Sequence, residues 1–376
     1  MNEPSGDAPL SADGGLRRSD VLGAFGTCAY DLARDFRERA ETYERRTATY
    51  AKAPTPENRA VARAAWEDAL EIWQRLEVFQ FGPAAPLSSP GGKDIRAQIY
   101  AWPVISRCTI EQGIVSRTYE TPTFVETSPT TRGLYASEYL LFYPGTDNAC
   151  GAGSSINTNG TWADLGAGGL AERKAAYAHA IAVDVLTRAR QLEGAWSPAG
   201  GNFTKELVNA GSKTGLFATQ QLAFNTVSDA LFYIEISTKD MKLGKPSGLR
   251  ECEQPTCPDA LESPWAKRSK VHVRNNLVGA QLLIDGCLAS GSIGFGSLLR
   301  ALGQGAVANR LSKAILDAIA AVDSMPDADL DAALARDPEV VKRLYMSLKS
   351  ITDILRSDFV SVLDLEIPKA IEGDND

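Results

Sequence analysis

The chain has 376 residues, 44% of them hydrophobic, so it can bury a large core and is expected to form about two domains. Its formal net charge is -8 and it has no basic stripe, which excludes nucleic-acid binding, because affinity for phosphate depends on clustered Lys and Arg. No run reaches the roughly 18 consecutive apolar residues that cross a bilayer, so we expect no membrane-spanning helix.

Residues 1–17 are small, polar and rich in Gly and Pro, and this composition predicts a flexible leader. The leader lacks the basic region and apolar run of a signal peptide. Either the protein is cytosolic or its signal has been removed. We expect an exported protein, periplasmic or anchored to the outer membrane as a lipoprotein, with an N-terminal lipid anchor as its only link to the membrane.

The six cysteines bear on this choice. Cys252 and Cys257 bracket E-Q-P-T in a Pro-rich loop, a spacing that favours a local disulfide over a zinc knuckle or a C-x-x-C redox site. Oxidised pairs would favour export. Unpaired buried thiols in a cytosolic protein are the alternative, and the pairing of the other four cysteines is open.

Apolar residues recur at helical spacing along the chain, with no strand-like period of two. The predicted helices cover residues 18–50, 57–80, 94–103, 133–142, 169–196, 214–241, 270–288, 306–323 and 338–363. The last has one apolar stripe, as a bundle helix requires: Val341, Leu344, Tyr345, Leu348, Ile351, Leu355, Phe359 and Val362.

The pattern predicts an all-α fold of two helical-bundle-like lobes packed into one body. A break near residues 197–204 divides the chain into an N-terminal lobe, residues 18–200, and a C-terminal lobe, residues 201–370.

The stretch G-L-Y-A-S-E-Y-L-L-F, residues 133–142, carries the most informative spacing. Positions 135 and 138 lie one turn apart on the same face of a helix, where a His and a Glu could hold a cation. Here the pair is Tyr135 and Glu138.

Other chemistry is excluded by the residue inventory. The two histidines, His179 and His272, are too few for a conventional zinc peptidase, and H-E-x-x-H is absent. The acidic run at 327–331 lacks the Gly and the Glu of a calcium loop and is expected to begin a helix.

Several stretches, in order along the chain, resemble the imelysin-like family, also called insulin-cleaving or iron-regulated periplasmic peptidase-like proteins. They are E-V-F-Q-F-G-P at 77–83, I-Y-A-W-P at 99–103, G-L-Y-A-S-E-Y-L-L at 133–141, E-S-P-W-A-K-R-S and R-N-N-L-V-G-A within 262–280, and the tail L-D-L-E-I-P-K-A-I-E-G-D-N-D. The resemblance implies two helical lobes with the motif near their junction, an exported and often lipid-anchored protein, and a link to iron acquisition.

The family signature is G-x-H-x-x-E. Gly133 and Glu138 match it, but Tyr135 stands where the histidine is expected. Neutral imidazole binds zinc well, whereas a phenol with a pKa of about 10 must first lose a proton. Iron(III) accepts phenolate better, so Tyr135 and Glu138 are candidate ligands of iron or another divalent or trivalent metal, although two oxygens alone make a weak site.

A structural interpretation of the same residues is more common. Tyr135 would then be a buried aromatic residue whose hydroxyl bonds Glu138 or a backbone carbonyl. Glu138 would be a buried carboxylate that needs a cation, because an unpaired buried charge is costly.

Three arginines are candidates to face Glu138: Arg96, Arg268 and Arg274. Glu77 is expected in the same polar cluster. An aromatic set either lines a ligand pocket between the lobes or, as is more usual, belongs to the core: Trp66, Trp73, Tyr100, Trp102 and Tyr139.

The leading hypothesis is an exported binding or accessory protein of the imelysin-like type, linked to iron or metal uptake and lacking metallopeptidase activity. It would bind a metal ion or small ligand at the lobe junction. The alternatives are a metal-dependent peptidase or hydrolase using Glu138 and a cell-envelope module that binds protein partners. Family analogy supports these hypotheses less strongly than site chemistry would.

Overall fold

The computed structural model describes residue 10 and residues 15–371, without the side chain of residue 370. All regular secondary structure in this part of the chain is helical, which confirms the predicted all-α fold. The predicted leader, residues 1–17, lies largely outside the described residues, as do the last five residues of the C-terminal motif.

The helices are joined by connections that range from a few residues to long loops. In chain order they are α1 (Arg18–Lys52), α2 (Pro56–Leu76), α3 (Ile95–Ile99), α4 (Arg107–Ser116), α5 (Gly133–Phe142), α6 (Ser155–Thr158), α7 (Gly166–Trp196), α8 (Phe203–Val208), α9 (Gln220–Leu231), α10 (Ser269–Asp285), α11 (Phe295–Ala301), α12 (Gly305–Ser324), α13 (Leu330–Arg336), α14 (Pro338–Ile354) and α15 (Val360–Leu363). Two π-helical segments, Ile234–Gly244 and Leu355–Phe359, follow α9 and α14.

Contacts within the chain divide it into two compact units. Unit 1 contains the residues up to Ala33, Trp73–Lys93 and the residues from Glu193 onward. Unit 2 contains Arg34–Ile72 and Asp94–Leu192. The units interleave along the sequence, since α1, α2 and α7 each contribute residues to both. The predicted lobe boundary near residue 200 stays a prediction.

Unit 1 is built around a ring of four packed elements. Helix α12 packs against α10 and α14, and the π-helical segment Ile234–Gly244 packs against both α14 and α10. The ring closes around apolar side chains from successive turns, such as Leu311 and Ile315 of α12 and Leu344 and Leu348 of α14, all buried. This is the bundle that the apolar stripe of residues 338–363 predicts.

The stripe departs from the prediction at its C-terminal end. Residues Val341 to Phe359 of the stripe are buried, but Val362 is only half-buried, while Val360 and Leu363 are buried instead. The chain winds as a π-helix over Leu355–Phe359, which adds a residue to the turn and rotates the inward face for the residues that follow.

In unit 2, helix α5 packs against α3 and α4. The residue before it, Arg132, forms a buried ion pair with Asp184 of α7, with 2.7 Å between Nη1 and Oδ2. Arg188 donates to the second oxygen of Asp184 at 3.2 Å. A fully paired carboxylate thus ties the start of α5 to the longest helix of this unit.

The acidic run at 327–331 is folded around a lysine. Lys270 Nζ donates to the carbonyl oxygens of Met325 at 2.7 Å and Asp327 at 3.0 Å. Asp329 accepts from the backbone N–H of Lys270 at 2.7 Å and precedes the first residue of α13. The run therefore leads into a helix, as predicted, and the carbonyl of its first residue, Asp327, is bonded by the ammonium group of Lys270.

Within the described residues, no single helix has both the length and the hydropathy needed to span a bilayer. One pair, Ser269–Ser290 with Phe295–Ala301, meets that test only when its two members are joined, and it is bent by 89°.

All six cysteines form disulfides. Cys252–Cys257 is the local pair that the sequence predicts. Cys108–Cys150 lies within unit 2, and Cys28–Cys287 within unit 1, across 259 residues of sequence. The predicted disulfide chemistry is confirmed.

These bonds are expected to stabilise the fold unequally, because closing a longer loop removes more entropy from the unfolded chain. Replacing both members of Cys28–Cys287 with Ser should lower the free energy of unfolding by about 5 kcal/mol, whereas Cys252→Ser with Cys257→Ser should lower it by about 2 kcal/mol. Denaturant titration of both double variants measures the difference. Equal losses would contradict the loop-length ranking.

Candidate functional site

Helix α5, which carries the signature, has no solvent-facing side. Every residue from Gly133 to Leu141 is buried, with Tyr135 at 7% exposure and Glu138 at 0%. A helix that is buried all round belongs to a core. Both candidate ligands therefore lie inside the protein.

Gly133 makes this placement possible. Its φ is +76°, in the region that favours glycine, and a Cβ built on it would lie 2.6 Å from the carbonyl oxygen of Ile99. Ile99 is the last residue of α3 and the first of the I-Y-A-W-P stretch. The backbones of the I-Y-A-W-P stretch, residues 99–103, and of the signature stretch, residues 133–141, therefore come close together at Ile99 and Gly133.

Tyr135 packs against the same stretch. Its ring meets that of Tyr100 edge to face, with 5.9 Å between centroids and 66° between planes. Tyr100 and Trp102 are buried as well. The structure thus brings Gly133, Tyr135 and the I-Y-A-W-P stretch together in unit 2, with Tyr135 as the buried aromatic residue of the structural interpretation.

The predicted cation for Glu138 stays a prediction. Arg96 lies on α3 and directs Nη2 at the carbonyl oxygen of Trp102, 3.5 Å away. Arg274 forms a two-point ion pair with Asp323, at 2.6 and 3.1 Å. Arg268 is the residue before α10 and is half-buried.

Glu77 is a fully buried carboxylate in unit 1. Trp73 Nε1 donates to its Oε1 at 3.0 Å, and the hydroxyl of Tyr233 donates to its Oε2. Trp73, expected as core or pocket lining, is therefore also a hydrogen-bond donor.

Sequence reasoning missed a second buried network in unit 1, centred on Lys242. This lysine is 1% exposed, and its Nζ lies 2.8 Å from Gln74 Oε1, 2.8 Å from Asn276 Oδ1 and 2.9 Å from Glu262 Oε1. Gln74 Nε2 also donates to Glu262 at 2.8 Å. Asn276 and Glu262 belong to two of the family-like stretches, so polar residues inside those apolar segments were the available signal.

Neither histidine belongs to a group of three potential metal ligands among the described residues. His272 is buried, with Nε2 2.9 Å from Ser263 Oγ, and its Nδ1 has no hydrogen-bond partner among the described residues. His179 Nδ1 lies 3.5 Å from Thr47 Oγ1 and 4.0 Å from Glu44 Oε1 near the surface.

The donor set does not fit a catalytic zinc ion. In the described part of the chain, no three His, Cys, Asp or Glu side chains are grouped to hold a metal, and every cysteine is oxidised. Catalytic zinc takes three protein ligands, usually with histidine among them. Tyr135 and Glu138 together supply only a phenol and a carboxylate.

The conformation of Gly133 generates a stability prediction. Gly133→Ala should lower the free energy of unfolding by about 2 kcal/mol or more, since the methyl group meets the Ile99 carbonyl and φ becomes unfavourable. Gly168→Ala is the matched control, because a Cβ there meets nothing within 4 Å. Denaturant titration of both variants checks this; a loss as small in Gly133→Ala as in the control would contradict it.

Burial generates a pH prediction for His272. Desolvation, with Lys242 and Arg268 nearby, lowers its pKa well below 6.5. The unfolded chain then binds a proton below pH 6.5 that the folded chain does not, so stability should fall as pH falls, by up to about 1.4 kcal/mol per pH unit.

His272→Gln should flatten this dependence between neutral and mildly acidic pH, measured as unfolding free energy against pH. His179→Gln is the comparison and should change the slope less, because that histidine is more exposed and its burial lowers its pKa less strongly. An unchanged slope in His272→Gln would refute the assignment.

Comparison with known proteins completes the description of the site. The family model for Imelysin, peptidase M75, matches residues 29–357. The chain is 25% identical over 321 residues to iron-regulated protein A of Synechococcus elongatus, covering 84% of this chain and 78% of that protein.

Two solved structures share the fold. An imelysin-like protein from Psychrobacter arcticum 273-4 superposes with a TM-score of 0.68 at 16% identity, covering 94% of this chain and 98% of that one. A protein described as an iron-regulated protein A precursor, from Parabacteroides distasonis ATCC 8503, gives a TM-score of 0.65 at 14% identity with the same coverage. Since the family model covers most of the chain, including the signature helix, this protein belongs to the imelysin family.

Proposed function

We propose that this protein is an exported binding or accessory member of the imelysin family, connected with iron or metal uptake and without metallopeptidase activity. One observation carries the proposal: the signature position that should hold a histidine holds Tyr135, buried in a helix whose neighbouring acid, Glu138, is also buried.

The chemistry of this pair argues against hydrolysis. A zinc hydrolase keeps an open coordination position for water and needs enough protein ligands to lower the pKa of that water. Tyr135 and Glu138 are part of no three-residue group of His, Cys, Asp and Glu in the described chain. Without such a group, Glu138 has no activated water to act on as a base.

The link to iron is supported by the names of two relatives. The protein from Synechococcus elongatus and the one from Parabacteroides distasonis are both described as iron-regulated protein A. Phenolate and carboxylate are oxygen ligands, and iron(III) accepts such ligands more readily than zinc does. Direct iron binding would therefore use Tyr135.

Export is supported by two independent facts. All six cysteines are oxidised in the structure, and disulfides persist in oxidising compartments such as the periplasm. The Parabacteroides distasonis protein is described as a precursor, a term used for proteins that lose an N-terminal leader.

Metal analysis with a peptidase assay tests the proposal. The purified protein should contain no stoichiometric zinc and should show no chelator-sensitive cleavage of casein or insulin. Tyr135→His restores the family histidine, but because the described residues include no three-residue group of His, Cys, Asp and Glu to build on, we expect neither stoichiometric zinc nor turnover. Chelator-sensitive cleavage by the wild-type protein would overturn the proposal.

A ferric titration separates a direct binder from an accessory protein. If Tyr135 binds iron(III), a visible phenolate-to-iron absorption band should appear in the wild-type protein and be absent from Tyr135→Phe, the matched control that lacks only the hydroxyl. No band in the wild-type protein would assign the accessory role.

A further inference from the structure

Lys174, on α7, is a buried lysine with little to hold its charge. It is 6% exposed, and its Nζ makes one hydrogen bond, to the carbonyl oxygen of Gly145 at 3.3 Å. The ring centroids of Tyr139 and Tyr143 lie 5.0 and 5.3 Å from Nζ. An ammonium group has three N–H donors, and the only oxygen bonded to it here, among the described residues, is that of Gly145. The two rings add cation–π attraction, which replaces only part of the hydration that burial removes.

The nearest acids are committed to other donors. Glu111 accepts from Arg107 Nε, from the hydroxyl of Tyr139 and from the backbone N–H of Ala149, each at 2.7 Å. Its two oxygens are therefore occupied, and the described residues provide no ion-pair partner for Lys174.

Asp147 is occupied in the same way. It accepts from Arg107 Nη2 at 2.8 Å and from the hydroxyl of Tyr143 at 2.6 Å. Burial raises the pKa of Tyr139, and the hydrogen bond to Asp147 raises that of Tyr143. Both phenols therefore stay neutral and offer Lys174 no negative charge.

A second cation is bound nearby without a carboxylate. Arg59, on α2, donates through Nε to the carbonyl oxygen of Leu141 at 2.6 Å and through Nη2 to that of Tyr143 at 3.2 Å. No described carboxylate pairs with it. The backbone carbonyls of Leu141, Tyr143 and Gly145 thus accept hydrogen bonds from three cationic side chains, which are Arg59, Arg63 and Lys174.

These surroundings favour the free amine of Lys174. Burial lowers the pKa of Lys174 to about 8, with repulsion from Arg59 and Arg107 adding to the effect and Glu111 and Asp147 opposing it. A lysine that is partly deprotonated near neutral pH is a nucleophile, as in enzymes that use lysine amines.

We infer that Lys174 is a modification site that takes up carbon dioxide as a carbamate. The amine nitrogen forms a bond to the carbon of carbon dioxide. The electron pair of one C=O π bond moves onto its oxygen, which becomes the negatively charged oxygen of the carbamate, and a proton passes from nitrogen to water. No oxidant or other reactant is required. Carbon dioxide is small enough to reach a side chain that is almost fully enclosed.

Carbamate formation changes the charge at Lys174 from positive to negative. An unpaired ammonium is replaced by an anion, and the new carboxylate group supplies a negative charge to the region of Arg59, which lacks one. The reaction therefore removes a buried cation and introduces an anion that Arg59 and Arg107 attract and that Glu111 and Asp147 repel.

Carbon NMR of the whole protein under isotope-labelled carbon dioxide tests this inference. At fixed carbon dioxide pressure, a carbamate resonance of Lys174 should appear beside that of the α-amino group and grow as pH rises through about 8, because the amine loses its proton in that range. Trapping with a trialkyloxonium salt, followed by peptide mass spectrometry, should place the modification on Lys174.

The resonance should be lost in both Lys174→Met and Lys174→Arg; the second keeps the positive charge, so at least one variant should keep the native circular dichroism spectrum. Lys52→Met, at an exposed lysine that ends α1, should retain the resonance. Absence of this carbamate in the folded wild-type protein, or its persistence in a folded Lys174 variant, would overturn the inference.

Discussion

A helix with no face toward water must have all of its polar groups satisfied by the protein, and α5 is such a helix. The indole of Trp66 donates to the carbonyl oxygen of Leu134 at 2.9 Å, and the hydroxyls of Tyr43 and Ser137 bond each other. At the other end, Arg63 Nε joins Arg59 in donating to Leu141, at 2.8 Å. The side chains that surround α5 in unit 2 therefore both pack against the helix and bond its polar groups.

The helix keeps its packing with a tyrosine at position 135 of the signature. The contact between Gly133 and Ile99 depends on the absence of a side chain and does not involve position 135. Tyr135 fills its position by packing on Tyr100, as an aromatic residue in a core does. The packing of the motif helix therefore depends on Gly133 and on an aromatic side chain at position 135.

In unit 1, buried charged side chains are surrounded by several hydrogen-bond partners. Lys242 is surrounded by neutral amides and one carboxylate, and Glu77 by an indole and a hydroxyl, so each charge has several partners. The π-helical segment Ile234–Gly244 carries Lys242, and π-helical turns are frequent at functional sites. Among the described residues, Lys174 in unit 2 differs from Lys242 in having one hydrogen bond and no ion-pair partner, and the inferred modification rests on this difference.

The sequence alone determined the helical class, the long helices, the local Cys252–Cys257 bond and the family, because periodicity, turn residues and short motifs are local properties. It also identified Tyr135 as a departure from the signature, which is a matter of residue type. Only the tertiary structure decided that Val362 leaves the buried stripe after a π-turn and that Cys28 pairs with Cys287. It also decided that Lys242 forms an ion pair with Glu262, whereas Lys174 bonds a backbone carbonyl. These outcomes depend on which distant groups share a buried volume, and the charge and geometry of that volume are set by the packing of residues that lie far apart in the chain.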